Sequence, residues 1–243
     1  MKAIILAAGQ SKRLRPITNN LPKCLLKFGK KTIIDYQINA LQNNNVNEII
    51  IVIGFQAKLL KNHLIKYNPN SNLKFIENKQ YKDTYPAHGL WLTKNYMNDD
   101  IIYLNADLLC DPKIIKNIIK SRKKSITAIQ KVKWDEEEVN VIVEKNLKVI
   151  EMGKHIAKKL NCGEFIGVTK MSKKFNQTLI KVLDDFIDKK EYKKFAADAI
   201  NLTIQRGAEM HALNVSNFRA IEIDTIEDFK RAQKIWKAYE KNN

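Results

Sequence analysis

Residues 2–8, KAIILAA, and the segment behind them, Gly9-Gln10-Ser11-Lys12-Arg13-Leu14-Arg15-Pro16, decide the fold. A half-exposed strand alternates apolar and polar positions. A continuous apolar run suits a strand covered on both faces, as in a parallel sheet. The run stops at Gly9 and cations follow at once, so it is too short for a signal peptide. No apolar stretch elsewhere approaches the roughly 18 residues that a membrane span requires.

Working outward, residues 9–31 read as loop, with Gly9, Pro16, Pro22 and Gly29. Residues 32–45 place Ile33, Tyr36, Ile38 and Leu41 near helical spacing. Residues 48–54 form a second buried strand. Residues 56–66 predict a helix, Leu73–Ile76 a strand, Trp91–Met97 a helix and Asp100–Asn105 another strand. This β-α-β-α-β order implies right-handed crossovers and an open α/β sheet.

The second half is more mixed. Strands are expected at Ser125–Lys131, Val139–Glu144, Val149–Glu151, Glu164–Thr169, 209–215 and 220–223. Helices are expected at Lys174–Asp188, Ala196–Arg206 and Thr225–Glu240, the last with Thr225 as its cap. There are no repeats or long linkers. We expect one domain over 1–243, with a nucleotide-binding half over about 1–110. An acceptor-binding half and a closing helix fill about 111–243.

Composition bounds the function less than it first suggests. Lys plus Arg number 43 and Asp plus Glu 26, a formal net charge of +17. That surplus suits an anionic partner. The lysines run from Lys2 to Lys241 without a basic block, and no aromatic residues interleave with the short run at 121–124 as a nucleic-acid stacking platform requires. Most are therefore read as solvated surface, with neither nucleic acid nor a membrane expected as partner. Cys24, Cys110 and Cys162 have no disulfide or zinc spacing, which suits a reducing, cytoplasmic setting.

Chemistry is concentrated at three places. Small residues at Ala7, Ala8 and Gly9 let backbone N–H groups approach a bulky anion, which nearby cations neutralise. The segment lacks the Gly-Lys-Ser/Thr of a Walker loop and the three glycines of a dinucleotide fingerprint. A tight turn with surface cations is the plainer alternative. Lys23 follows Pro22, which stiffens the chain before the amine. Asp107 and Asp224 each follow a buried strand, and two carboxylates are what Mg²⁺ takes beside phosphate oxygens. Their plainer readings are a loop cap and the cap of the last helix.

Taken together, LAAG-x-x-x-R-L-x-P-x-T-x-x-x-P-K from Leu6 to Lys23 and E-I-D-T-x-x-D from Glu222 to Asp228 resemble the nucleoside-diphospho-sugar pyrophosphorylase-like nucleotidyltransferases. Ser11 stands where the family usually has a second glycine, and Asn105 leads the first aspartate motif. The resemblance covers nearly the whole chain and implies a three-layer, mostly parallel mixed sheet of Rossmann-like fold. It implies that Leu6, Ala7, Ala8, Gly9, Gln10, Ser11 and Ala106 hold the nucleotide. Arg13 and Lys23 would bind its phosphates, and Asp107 and Asp224 would bind Mg²⁺. In the implied reaction a phosphate or phosphonate oxygen attacks the α-phosphorus of a nucleoside triphosphate and pyrophosphate leaves. The attacking group is already an anion, so no strong base is needed.

The acceptor is read from Asn78–Leu92, which lacks the Gly-rich segment of sugar-1-phosphate enzymes. It is more similar to short cytidylyltransferases of phosphocholine and aminoethylphosphonate, with Gly89 in place of a usual serine and an unfamiliar Pro86-Ala87-His88. The expectation is CTP with a small phosphorylated amine or amino acid. Quaternary ammonium groups favour aromatic faces and carboxylates, so Tyr81, Tyr85, Trp91 and Trp134 are candidate faces. Glu164 and Asp198 are candidate carboxylates, and His88 is the histidine to test. Core packing is the plainer role for each aromatic. A sugar-1-phosphate transferase using UTP, GTP or dTTP and a non-catalytic nucleotide- or RNA-binding protein are the alternatives. A homodimer is possible.

Overall fold

A computed structural model describes residues 1–132 and 134–241. The first half runs β1 (Lys2–Ala7), β2 (Lys27–Phe28), β3 (Lys31–Thr32), α1 (Ile33–Gln42) and β4 (Glu48–Ile53). It continues through α2 (Ala57–Tyr67), β5 (Asn72–Glu77), α3 (Pro86–Leu92), β6 (Ile101–Asn105) and β7 (Leu108–Cys110). Next come α4 (Pro112–Lys120), β8 (Ile126–Gln130), β9 (Asn140–Val143), β10 (Val149–Gly153) and β11 (Gly163–Met171). The chain ends with α5 (Lys173–Asp188), α6 (Ala196–Gln205), β12 (His211–Asn214), β13 (Ala220–Glu222) and α7 (Ile226–Lys241).

β1 lies at the middle of the sheet, parallel to both β4 and β6, and β5 continues it beside β4. β11 then runs antiparallel to β6 and also pairs with β8 and β9. The result is a mixed, mostly parallel Rossmann-like sheet with helices on both sides. Its alternation is visible in β1: Ala3 and Ile5 pack with α1, α2 and α4, while Ile4 packs with α3, α5 and α6. Both faces are covered, which is why β1, β4 and β6 read as continuous apolar runs. No described helix is long and apolar enough to cross a membrane.

Several segments differ from the sequence reading. The expected Trp91–Met97 helix instead starts at Pro86 and ends at Leu92, followed by a short 3₁₀ turn at Lys94–Tyr96. Pro86 opens that helix, where its missing N–H costs nothing and its fixed φ is already helical. The unassigned stretch at Pro112–Lys120 forms α4, capped by Asp111, whose Oδ1 accepts from the Lys113 N–H at 2.9 Å. β11 extends to Gly163–Met171, because it borders β6, β8 and β9 in turn.

Two local devices shape the ligand edge of the sheet. Gly54 ends β4 so close to the β1 loop that a Cβ there would lie 2.9 Å from the Ala8 carbonyl and 2.8 Å from Tyr81. β13 pairs antiparallel with β7, setting Glu222 opposite Leu108. The Ile223 N–H then reaches the Asp107 carbonyl at 3.1 Å, which draws the end of the chain to the end of β6.

The first helix is fastened by a reciprocal cap. The Thr32 Oγ1 accepts from the Asp35 N–H, and the Thr32 backbone donates back to Asp35. Asp35 also accepts from Asn68 at 3.1 Å and pairs with His63 at 3.0 Å, so it joins α1 to α2. Burial, the largest influence, pushes its pKa up, but His63, Thr32 and Asn68 outweigh it and hold the carboxyl near about 2. Its stabilisation is therefore complete above the unfolded carboxylate range and lost as pH falls through that value. Asp35→Ala is expected to cost about 1–2 kcal/mol at neutral pH in urea denaturation. The gap from wild type should close between about pH 4 and pH 2, and a gap that persists there would contradict this account.

Candidate active site

A cavity of about 690 Å³ opens at the C-terminal ends of β1, β4 and β6, where open α/β sheets hold ligands. Its size suits a nucleotide-sized molecule. One wall is the β1 loop: Leu6, Ala7, Ala8, Gly9, Gln10 and Ser11 all line it, as do Arg13 and Lys23. Ala106 lines it from the other side. Ser11 adopts a left-handed backbone, φ 50°, and its carbonyl accepts from the Thr18 hydroxyl at 2.8 Å.

Lys23 is the centre of the charges. Its Nζ lies 2.8 Å from Asp107 Oδ2 and 2.6 Å from Asp224 Oδ1. The other Asp224 oxygen meets Arg13 Nη2 at 3.1 Å. Burial, the largest influence on the Lys23 amine, favours its neutral form, but the two carboxylates outweigh it and hold its pKa above the ordinary lysine value. Burial likewise pushes Asp224 up, and Lys23 with Arg13 hold it below its ordinary value. Asp107 Oδ1 is buried and has no hydrogen-bond partner among the described residues.

A second group of acids stands beside the first. Glu138, Glu164 and Glu222 each offer an oxygen within 4.8 Å of the others. Glu222 accepts from Asn105 Nδ2 at 3.0 Å, and Asn105 in turn accepts from the Tyr103 hydroxyl. Burial first, and then Asp107, hold the Glu222 carboxyl well above the carboxylate range. Burial, then Glu138 and Asp135, push Glu164 up to about 7. Burial and then Asp224 also raise Glu138.

The acceptor candidates divide. Tyr81 and Tyr85 line the cavity, and Tyr85 stacks obliquely on Phe195, with centroids 5.1 Å apart. The other five are not among the lining residues. Because α3 begins at Pro86, His88 is buried near Trp91 and Tyr192 instead. Trp91 donates to Asp184 at 2.8 Å, with the Lys94 ammonium over its ring. Trp134 donates to the Ile156 carbonyl at 3.3 Å. Asp198 is the acid of a helix start, accepting from the Phe195 N–H at 2.7 Å. Glu164 belongs to the acid trio just described.

Sequence reasoning missed lining residues that arrive from elsewhere. Glu222 had a signal, since it stands two positions before Asp224 and so shares its side of an extended chain. Glu138, Lys154 and Phe195 had none, because separate segments of the second half carry them to the cavity.

A family model described as nucleotidyl transferase matches residues 2–152. A CTP:phosphoglutamine cytidylyltransferase of Campylobacter jejuni is 29% identical, with 92% of this chain and 93% of that protein aligned. A choline-phosphate cytidylyltransferase of Streptococcus pneumoniae is 36% identical over 44% of each chain. A solved CTP:phosphocholine cytidylyltransferase, also of Streptococcus pneumoniae, superposes with a TM-score of 0.79 at 22% identity. That match covers 96% of this chain and 98% of the other, and shows the shared fold. With the loop after β1, Lys23 and the two strand-end aspartates converging on one cavity, the chain belongs to the nucleotidyl transferase family and is a nucleotidyltransferase.

Proposed function

We propose that this enzyme transfers a cytidylyl group from CTP to a small phosphorylated acceptor that carries an amine. The observation that carries the reading is the Lys23 ammonium held between Asp107 and Asp224 at the end of the sheet. The similarity to two cytidylyltransferases supports CTP as donor.

The residues present fit a divalent cation such as Mg²⁺. Asp107 Oδ1 is buried without a partner, and Lys23 shows that both carboxylates can converge on one positive centre. Asp107 and Asp224 would hold the ion, and hard carboxylate oxygens suit it. Bound there, it would supply neutralisation of the triphosphate charge.

The chain's own residues supply the rest. The β1 loop offers backbone N–H groups to the phosphates, with Arg13 and Lys23 as cations. An acceptor phosphate oxygen forms the new bond to the α-phosphorus as the bond to pyrophosphate breaks. The displaced pyrophosphate takes the electron pair. The attacking oxygen is already anionic, so positioning and charge carry the catalysis.

Two features bear on the acceptor. Glu138, Glu164 and Glu222 form an acidic end whose ionised members suit an ammonium. Lys154 lines the cavity and lies 5.1 Å from the Phe195 ring centroid, so the protein's own cation already covers that aromatic face. With Lys82 also on the wall, a second anionic group on the acceptor would find partners. A phosphorylated amino acid, with ammonium and carboxylate, satisfies both ends better than phosphocholine.

Pyrophosphate release with Mg²⁺, across five nucleotides and a panel of phosphorylated amines, amino acids and sugar-1-phosphates, tests the reading. CTP with an acceptor that carries both an ammonium and a carboxylate should give turnover. Asp107→Ala or Asp224→Ala should lower kcat at least about 100-fold, from lost charge stabilisation. Turnover only with a sugar-1-phosphate would overturn the acceptor assignment, and binding without turnover would overturn the reaction.

Glu164 makes a separate prediction. It ionises as pH rises through about 7, so kcat/KM for an ammonium acceptor should climb over that range. Glu164→Gln should flatten the climb and raise the acceptor KM with little change in the KM for CTP. An unchanged profile would remove Glu164 from acceptor recognition.

A further inference from the structure

Gln37 sits on the buried face of α1, 2% exposed, among Ile33, Ile34, Ile38 and Leu41. Its neighbours are aliphatic, yet this position carries an amide. The Gln37 Nε2 donates to the Asn105 carbonyl and to the Leu108 carbonyl, both at 2.8 Å. Its Oε1 is buried and accepts no hydrogen bond among the described residues. A buried amide with an unmet oxygen is costly, and a methionine of similar length would fill the space without that cost.

The two carbonyls are the ends of one chain reversal. β6 stops at Asn105, β7 starts at Leu108, and Ala106 and Asp107 form the bend between them. The bend has two other backbone tethers: the Ala106 N–H to the Leu6 carbonyl at 3.3 Å, and the Asp107 carbonyl to the Ile223 N–H at 3.1 Å. Those tie it to the nucleotide loop and to β13. Gln37 ties it to α1, through two hydrogen bonds from one rigid amide group.

We propose that Gln37 is a positioning residue for the nucleotidyl transfer: it clamps the Asn105–Leu108 reversal so that Asp107 meets the reacting phosphates and their cation in register. It is not among the residues lining the cavity and acts through the backbone that carries Asp107. The inference rests on the reading given under Proposed function. It predicts a defect in Asp107 placement while the phosphate loop stays intact.

The test uses Gln37→Met and Gln37→Leu in the full chain, with thermal melting to establish folding. Displacing a reacting group by about an ångström costs up to about 100-fold, so kcat should fall about 10- to 100-fold. The KM for CTP should stay within about twofold, because ground-state binding through the β1 loop is retained. Half-saturating Mg²⁺ should rise several-fold. Mn²⁺ followed by EPR in the protein–CTP complex, without acceptor, should bind correspondingly more weakly. Folded variants with wild-type kcat and Mn²⁺ affinity would overturn the proposal. So would a parallel loss of CTP binding, or failure of both variants to fold, since each assigns the amide to structure. A wild type that releases no pyrophosphate with any acceptor would instead defeat the functional reading, and this inference with it.

Discussion

The Lys23 ammonium lies between two carboxylates that the chain order keeps far apart, and the site depends on that one bridge. Asp107 stands just past β6, before the middle of the chain. Asp224 stands just before α7, near the other end of the chain. Two buried carboxylates brought together would repel each other and raise each other's pKa. One buried cation resolves the conflict, because each carboxylate then stabilises the same positive charge. The pairing of β13 with β7 supplies the geometry, and Lys23 supplies the charge balance that makes it tolerable.

The electrostatics of the cavity run against the electrostatics of the molecule. The chain carries a formal net charge of +17, yet Glu138, Glu164, Glu222, Asp107 and Asp224 gather at its working edge. The surplus lysines are dispersed and act as a general field for anions. The half-buried acids act at close range, where a dielectric lower than that of water makes each charge count. Glu222 and Glu164 are held toward their neutral forms mainly by burial. Such groups destabilise a fold unless a ligand repays them, and they are therefore concentrated where a ligand is expected.

Much of this was legible beforehand, and the failures have a common cause. The runs at Ala3–Leu6, Ile49–Ile53 and Ile101–Leu104 are unbroken because both sheet faces are covered, so strand identity followed from pattern alone. The small residues after β1 and the aspartate after β6 were placed by their position at strand ends. The sequence reading places the helix at Trp91–Met97 and misses its true start at Pro86, although proline is a good first helical residue. That shift of the helix start is what separates Tyr85, on the cavity wall, from His88, buried against Trp91 and Tyr192.

The sequence by itself determined the sheet class, the small-residue loop that leaves β1 and the pair of strand-end aspartates. Those signals are local: periodicity, small residues beside cations, and a carboxylate one or two residues past a strand. Only the tertiary structure decided the rest of the cavity wall. Glu138, Lys154 and Phe195 come from separate segments of the mixed second half, so their convergence leaves no spacing to read. The amide of Gln37 beneath the Asp107 reversal belongs to the same category. A hydrogen bond from a helix to the far end of another strand is specified by how layers pack, and packing is a property of the whole chain.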